Sequence, residues 1–310
     1  MTEKRLCLHP ATRTATDCQE IPNVYRNRPR RKIGFYIAAV TFVIFVLLSA
    51  YPVFFMFTGS LMGASEVQSR YGFLSDISYS GYANLHIFPG QITLSQYYQA
   101  ILRTPAYLLQ FWNSIYLLIP ILAGNLTISA MAGYAFAKLR FPLKRQLLFL
   151  YMLVLILPFQ VTLVPNFMVL QRLGLIGSRW AVILPSIFSP FGPFLLHQFS
   201  KKLPNSVFEM ARVEGAGERT VFLKIALPQM KPGLASLAIL TVIDVWSMTE
   251  QPLTLLQTTA SMPLSVTLSS LTRTSPEIGF VCGTVFLLPL LLSFLMGEEY
   301  LVDGMVDMML

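Results

Sequence analysis

The chain has 310 residues, of which 54% are hydrophobic and only 12% charged, and its formal net charge is +8. Soluble domains carry about 25% charged residues, so this composition, with a mean hydropathy of +0.59, excludes a disordered chain, a secreted disulfide scaffold and most soluble enzymes. It predicts an all-α polytopic membrane protein.

Residues 1–32 form a polar, basic tail that includes Cys7 and Cys18. The first apolar stretch, 33–58, is long, contains Pro52 and begins beyond residue 30, so it reads as a retained span and not as a cleaved signal peptide. Residues 59–110 form a long polar loop rich in tyrosine (Tyr71, Tyr79, Tyr82, Tyr97, Tyr98). Within it, residues 93–98 predict a short amphipathic helix capped by Thr93 or Ser95. A loop of this length points to a task such as docking an external partner.

Five more apolar stretches follow, at 111–137, 147–164, 180–199, 233–256 and 279–296, which makes six spans within a permease-sized region 33–296. Pro158, Pro165, Pro185, Pro190 and Pro193 predict breaks in spans three and four. Such breaks are tolerated where freed backbone groups face protein or a water-filled cavity, so these helices are expected to border a pathway or its gate. An acidic tail, 297–310, holds Asp303 and Asp307.

With both termini cytoplasmic, only Arg70, Arg103, Arg172, Arg179 and Arg273 of the 23 lysines and arginines fall outside. The opposite orientation reverses that ratio, so the positive-inside rule fixes the direction. The charges lie between apolar blocks and never alternate with aromatics in a polar segment, which argues against nucleic acid. Cys7, Cys18 and Cys282 form no CxxC, and His9, His86 and His197 are scattered singly, so no metal site is expected. No Ser/His pair, HExxH or paired carboxylates at matching depth suggest an enzyme. The absence of an evident internal repeat disfavours a carrier built from duplicated halves. An ion-coupled secondary carrier would need charged residues in several spans, and Asp244 is the convincing case.

The loop between spans four and five, 200–232, is the most informative. Ser206 followed by Glu209 predicts a capping box and a helix start. Gly215 and Gly217 supply positive-φ freedom to stop that helix. A second helix over 218–226 places Val221, Phe222 and Ile225 on one face, and Pro228 closes it. Phe208, Met210 and Ala211 then need something to pack against. In span five, Asp244 lies near mid-membrane, where an ionisable group normally faces a cavity or a polar partner. Trp246 lies about 200° further round the helix, so the two point in different directions.

Glu209-Met210-Ala211, then Gly215, Ile225 and Leu227-Pro228, resemble the EAA loop of permease subunits of bacterial ATP-binding-cassette importers. Other features are similar to the maltose-type carbohydrate permeases: Asn113-Ser114, Gly133-Tyr134-Ala135-Phe136-Ala137 with Arg140-Phe141, Leu157-Pro158, Val164-Pro165, Leu173-Gly174-Leu175, Lys231-Pro232, and Trp246 followed by Pro252. Met210, Glu214 and Ser247 replace the alanine, aspartate and asparagine usual there, and the acidic tail also departs from the pattern.

The resemblance implies a coupling helix seated in a cytoplasmic ATPase, with Phe208, Glu209, Met210, Ala211, Arg212 and Gly215 as its contact residues. It implies a second related permease, two ATPase subunits, an extracytoplasmic binding protein and a sugar or oligosaccharide cargo, in a bacterial cell membrane. The chain itself has no GxxxxGK[ST] phosphate loop, so ATP would be bound by the partners. Asp244, Trp246 and Asn113 are the candidates for the substrate path.

Overall fold

The computed structural model describes residues 30–71 and 88–309, and the regular structure among them is helical throughout. The basic tail up to residue 29, with His9, and the loop residues Tyr79, Tyr82 and His86 lie outside the described residues. Two units divide the chain, residues 1–51 and 52–310.

Helix α1 (Arg30–Ser60) begins in the first unit and ends in the second. Its side chains from Gly34 to Ala50 are all exposed, although the Gly34–Ser60 segment has a mean hydropathy of 2.4. Such a surface is stable only against lipid or another protein.

In the second unit α2 (Ala64–Tyr71) buries Val67 and Tyr71, and Phe55, Tyr71 and Phe280 meet edge to face at 5.6–5.9 Å. Helix α3 (Ser95–Tyr98) forms where the sequence predicts it and runs into a π turn, Gln99–Arg103. Its expected side-chain cap is missing, because Thr93 and Ser95 bond to each other at 3.0 Å and Ser95 also turns to Gln96.

Helix α4 (Pro105–Lys138) spans 34 residues, about 51 Å at 1.5 Å per residue. After it come α5 (Lys144–Ile156) and α6 (Phe159–Arg172), then α7 (Trp180–Ile187) and α8 (Phe191–Lys202). Next are α9 (Asn205–Val213), α10 (Glu218–Val221), a π turn (Phe222–Ala226), α11 (Leu227–Gln229) and α12 (Lys231–Ser247). The last three are α13 (Glu250–Leu255), α14 (Leu264–Thr274) and α15 (Pro276–Met309). The final helix runs unbroken through the acidic segment 297–309.

Among the described residues four segments are long and apolar enough to cross a bilayer, namely Gly34–Ser60, Pro105–Lys138, Trp180–Lys202 and Pro276–Glu298. Six crossings are reached only if two bent pairs each count as one. The third span, 147–164, is broken as expected, into α5 and α6 set 107° apart. Leu157 precedes a proline and is therefore pushed out of the α region, and both Leu157 and Pro158 are extended. The expected fifth span, 233–256, stops at Ser247, where Met248 turns extended. At its start the chain bends by 72° between Glu218–Gln229 and α12.

Of the five prolines expected to break spans three and four, only Pro158 and Pro190 sit at breaks. Pro165 and Pro185 lie inside α6 and α7, and Pro193 lies in the first turn of α8, where its missing N–H costs no helical bond.

Helices α4 and α8 are packed backbone to backbone. A Cβ added at Gly133 would fall 2.7 Å from Leu196, which leaves no room for a larger residue. Around this contact Tyr134, Leu196, Phe199, Phe208, Val221 and Met230 form one buried cluster. A second cluster joins Leu117 and Ile121 of α4 to α7, Val245 and the end of α13.

Candidate functional site: a helical knuckle and a central cavity

The knuckle begins where α8 ends. Pro204 occupies the cap position of α9, and no side chain caps the helix. The Ser206–Glu209 capping box expected from the sequence is therefore not formed: the helix starts at Asn205, two residues too early for Ser206 to cap it. Lys138 Nζ, at the end of α4, donates to the Leu203 carbonyl at 2.6 Å and to Asn205 Oδ1 at 2.7 Å. The same ammonium lies 5.0 Å from the centre of the Phe208 ring.

At the other end of α9, Gly215 has φ +84°. Gly215 N–H donates to the Arg212 carbonyl and Ala216 N–H to that of Ala211, each at 3.0 Å, which is the Schellman pattern. Gly217 does not share this role, since its φ of −67° is open to any residue. Nor does Pro228 close the second helix: the helical path continues through it to Gln229, because the preceding π turn relieves the clash a proline makes with the previous turn.

Two faces result. Phe208 (1% exposed) and Ala211 (8%) point inward with Val221 and Ala226, packed against Tyr134. Glu209, Arg212 and Gly215 are exposed, and so are the apolar side chains of Met210 (64%) and Val213 (89%). Tyr134 Oη donates to Glu218 Oε2 at 3.0 Å, and Arg212 Nε donates to Glu218 Oε1 at 2.8 Å. The carboxylate raises the Arg212 pKa further above its ordinary value. One glutamate thus ties the exposed knuckle to the span beneath it.

The second region is a cavity of about 1040 Å³ between the α5–α6 bend, the α7–α8 break, α12 and α13. Asp244 lines it. Gln160 Nε2 donates to both Glu250 oxygens at 3.1 and 3.3 Å, and Ser186 Oγ to Gln251 Oε1 at 3.1 Å. Asn125, also in the lining, donates to the Ile187 carbonyl at 3.2 Å.

Of the three substrate-path candidates, only Asp244 reaches this cavity. Trp246 is 2% exposed, wedged between Phe111 and Phe286, with Nε1 donating to the Phe286 carbonyl at 2.9 Å. Asn113 is a clamp: it donates to the carbonyls of Ala260 and Met262 at 2.7 and 3.2 Å and accepts from Arg179 at 2.8 Å. The sequence reading missed Glu250, Gln251, Gln160 and Asn125. Glu250 carried a usable signal, since a carboxylate inside an expected span is expensive.

Residues 125–306 match the family described as "Binding-protein-dependent transport system inner membrane component". Relatives include the arabinooligosaccharides transport system permease protein AraQ of Bacillus subtilis (strain 168), 29% identical over 285 residues, 90% of this chain and 97% of the relative. The lactose transport system permease protein LacG of Rhizobium radiobacter is 33% identical over 201 residues, 64% of this chain and 74% of the relative. A solved bacterial ABC transporter involved in the import of the acidic polysaccharide alginate has the same fold, with a TM-score of 0.74 at 20% identity over 88% of this chain and 98% of its own. None of these likenesses favours an ion-coupled carrier. The matched segment holds both the knuckle and the cavity, and the chain therefore belongs to the inner membrane components of binding-protein-dependent transport systems, as a multi-pass permease subunit.

Proposed function

We propose that this chain is one of two related permeases in an ATP-driven importer, forming half of the path for a sugar or oligosaccharide delivered by an extracytoplasmic binding protein. Two cytoplasmic ATPase subunits supply the energy, each bound to one permease, and the chain itself binds no nucleotide. In this reading both termini and the knuckle face the cytoplasm, and the loop between α1 and α4 faces the binding protein. AraQ and LacG, named for arabinooligosaccharide and lactose transport, support the carbohydrate assignment.

The observation that carries the coupling role is the two-faced knuckle. Its inner face is locked to α4, while Met210 and Val213 offer an apolar surface beside Glu209 that is stable only when another protein covers it. A body so held transmits displacement between rigid parts. Lining by Asp244 and by the α5–α6 and α7–α8 breaks supports the cavity as the translocation path.

The test is Gly215→Pro in the complex reconstituted into vesicles. Proline is fixed near φ −65° and cannot adopt +84°. ATP hydrolysis is expected to continue without driving uptake. Unchanged uptake would overturn the coupling assignment.

A further inference from the structure

The charge in the cavity wall has one sign. Asp244 on α12 and Glu250 at the start of α13 line it, and among the described residues no lysine, arginine or histidine does. The other polar groups there are neutral amides and hydroxyls, among them Gln160, Gln251 and Asn125. Asn125 is 2% exposed, and its Oδ1 has no hydrogen-bond partner. That oxygen sits beside the bare Cα of Gly192, another lining residue, where an added Cβ would be 3.0 Å from it. The Ser129 hydroxyl, also buried and without a partner, lies beside the same Cα.

Hydroxyl groups fit these walls from both sides. They donate to the two carboxylates and accept from the amide nitrogens of Gln160 and Gln251. A phosphate or carboxylate on the cargo would meet two like charges and no cation. Low-dielectric walls focus that field instead of screening it.

We propose that this subunit binds cargo directly in the cavity and admits uncharged, hydroxyl-bearing stretches, with Asp244 and Glu250 acting together as a charge filter against anionic cargo. The inference rests on the cavity being the translocation path.

The test reads the sign of the local potential and needs no identified cargo. In the full reconstituted complex, with Cys7→Ser, Cys18→Ser and Cys282→Ala in this chain, Ser247→Cys places one thiol on the cavity wall. Its rates of modification by cationic 2-(trimethylammonium)ethyl methanethiosulfonate and anionic 2-sulfonatoethyl methanethiosulfonate are followed by the mass of this chain. Combining Asp244→Asn with Glu250→Gln is expected to lower the cation-to-anion rate ratio about tenfold. The charge-conserving changes Asp244→Glu and Glu250→Asp are expected to keep it. Each single neutralisation takes part of the drop, so the proposal stays testable if the double variant does not assemble. A ratio that neutralisation leaves unchanged overturns the filter and spares the path. A thiol at 247 that neither reagent reaches overturns the path as well.

Discussion

The knuckle and the cavity are assembled from neighbouring helices but treat their polar groups in opposite ways. Around the knuckle, Lys138, Tyr134, Arg212, Asn205 and Glu218 bond to one another or to the backbone at 2.6–3.0 Å. In the cavity the Gln160–Glu250, Ser186–Gln251 and Asn125–Ile187 bonds measure 3.1–3.3 Å, and Asn125 Oδ1 has no partner. Saturated bonding makes a part that moves as one piece, whereas unsatisfied capacity is kept where a ligand will use it. A permease that must both transmit force and hold cargo has reason to keep the two in separate places.

Changes to the knuckle should therefore cost stability, and changes to the cavity should cost transport. Phe208→Ala carries the largest expected effect. The ring is 1% exposed, sits 6.2 Å from Tyr134 and receives Lys138, and truncating such a side chain costs about 3–5 kcal/mol. Loss of ATPase co-purification together with faster proteolysis across residues 203–217 would show it.

Tyr134→Phe removes one hydrogen bond and keeps the ring, so about 0.5–1.5 kcal/mol is expected. A double-mutant cycle with Glu218→Ala, which removes the acceptor, read by thermal unfolding of the complex, should show the two changes to be non-additive. Strict additivity would mean that the bond contributes nothing. Asp244→Asn should lie within about 0.5 kcal/mol of the parent in stability while lowering uptake. If stability falls and uptake per folded complex holds, the contrast between the two regions is wrong for this residue. Arg212→Ala is the smallest. Its ion pair with Glu218 is largely exposed, and such pairs contribute about 0–1 kcal/mol, further reduced by salt.

How much of this was written in the sequence depends on the range of the interaction. Helices α4 and α15 were legible because an apolar run of about 18 residues or more needs no tertiary information. The stop at Gly215 was legible because the Schellman geometry is local. The Ser206 cap failed because the helix starts two residues upstream, with Pro204 at the cap position. By sequence, Asn113 and Trp246 are path candidates alongside Asp244, both lying in motifs similar to those of carbohydrate permeases. Their partners are carbonyls about 147 and 40 residues away, which no local pattern could reveal. Glu250 was overlooked for the converse reason: an apolar average over 233–256 concealed the break after Ser247 that brings it to the wall.

The Gly133 contact has a mechanical corollary. With α4 pressed onto α8 at a distance that admits not even a methyl group, those two helices form the stator of the machine. If the cavity is the translocation path proposed above, its widening must come from the vanes on either side, α5 with α6 and α12 with α13. Their pivots are already cut into the backbone at Leu157 and Pro158, at Met230 and at Met248. Replacing Gly133 with alanine would splay the stator, leaving the vanes without a fixed wall to close against.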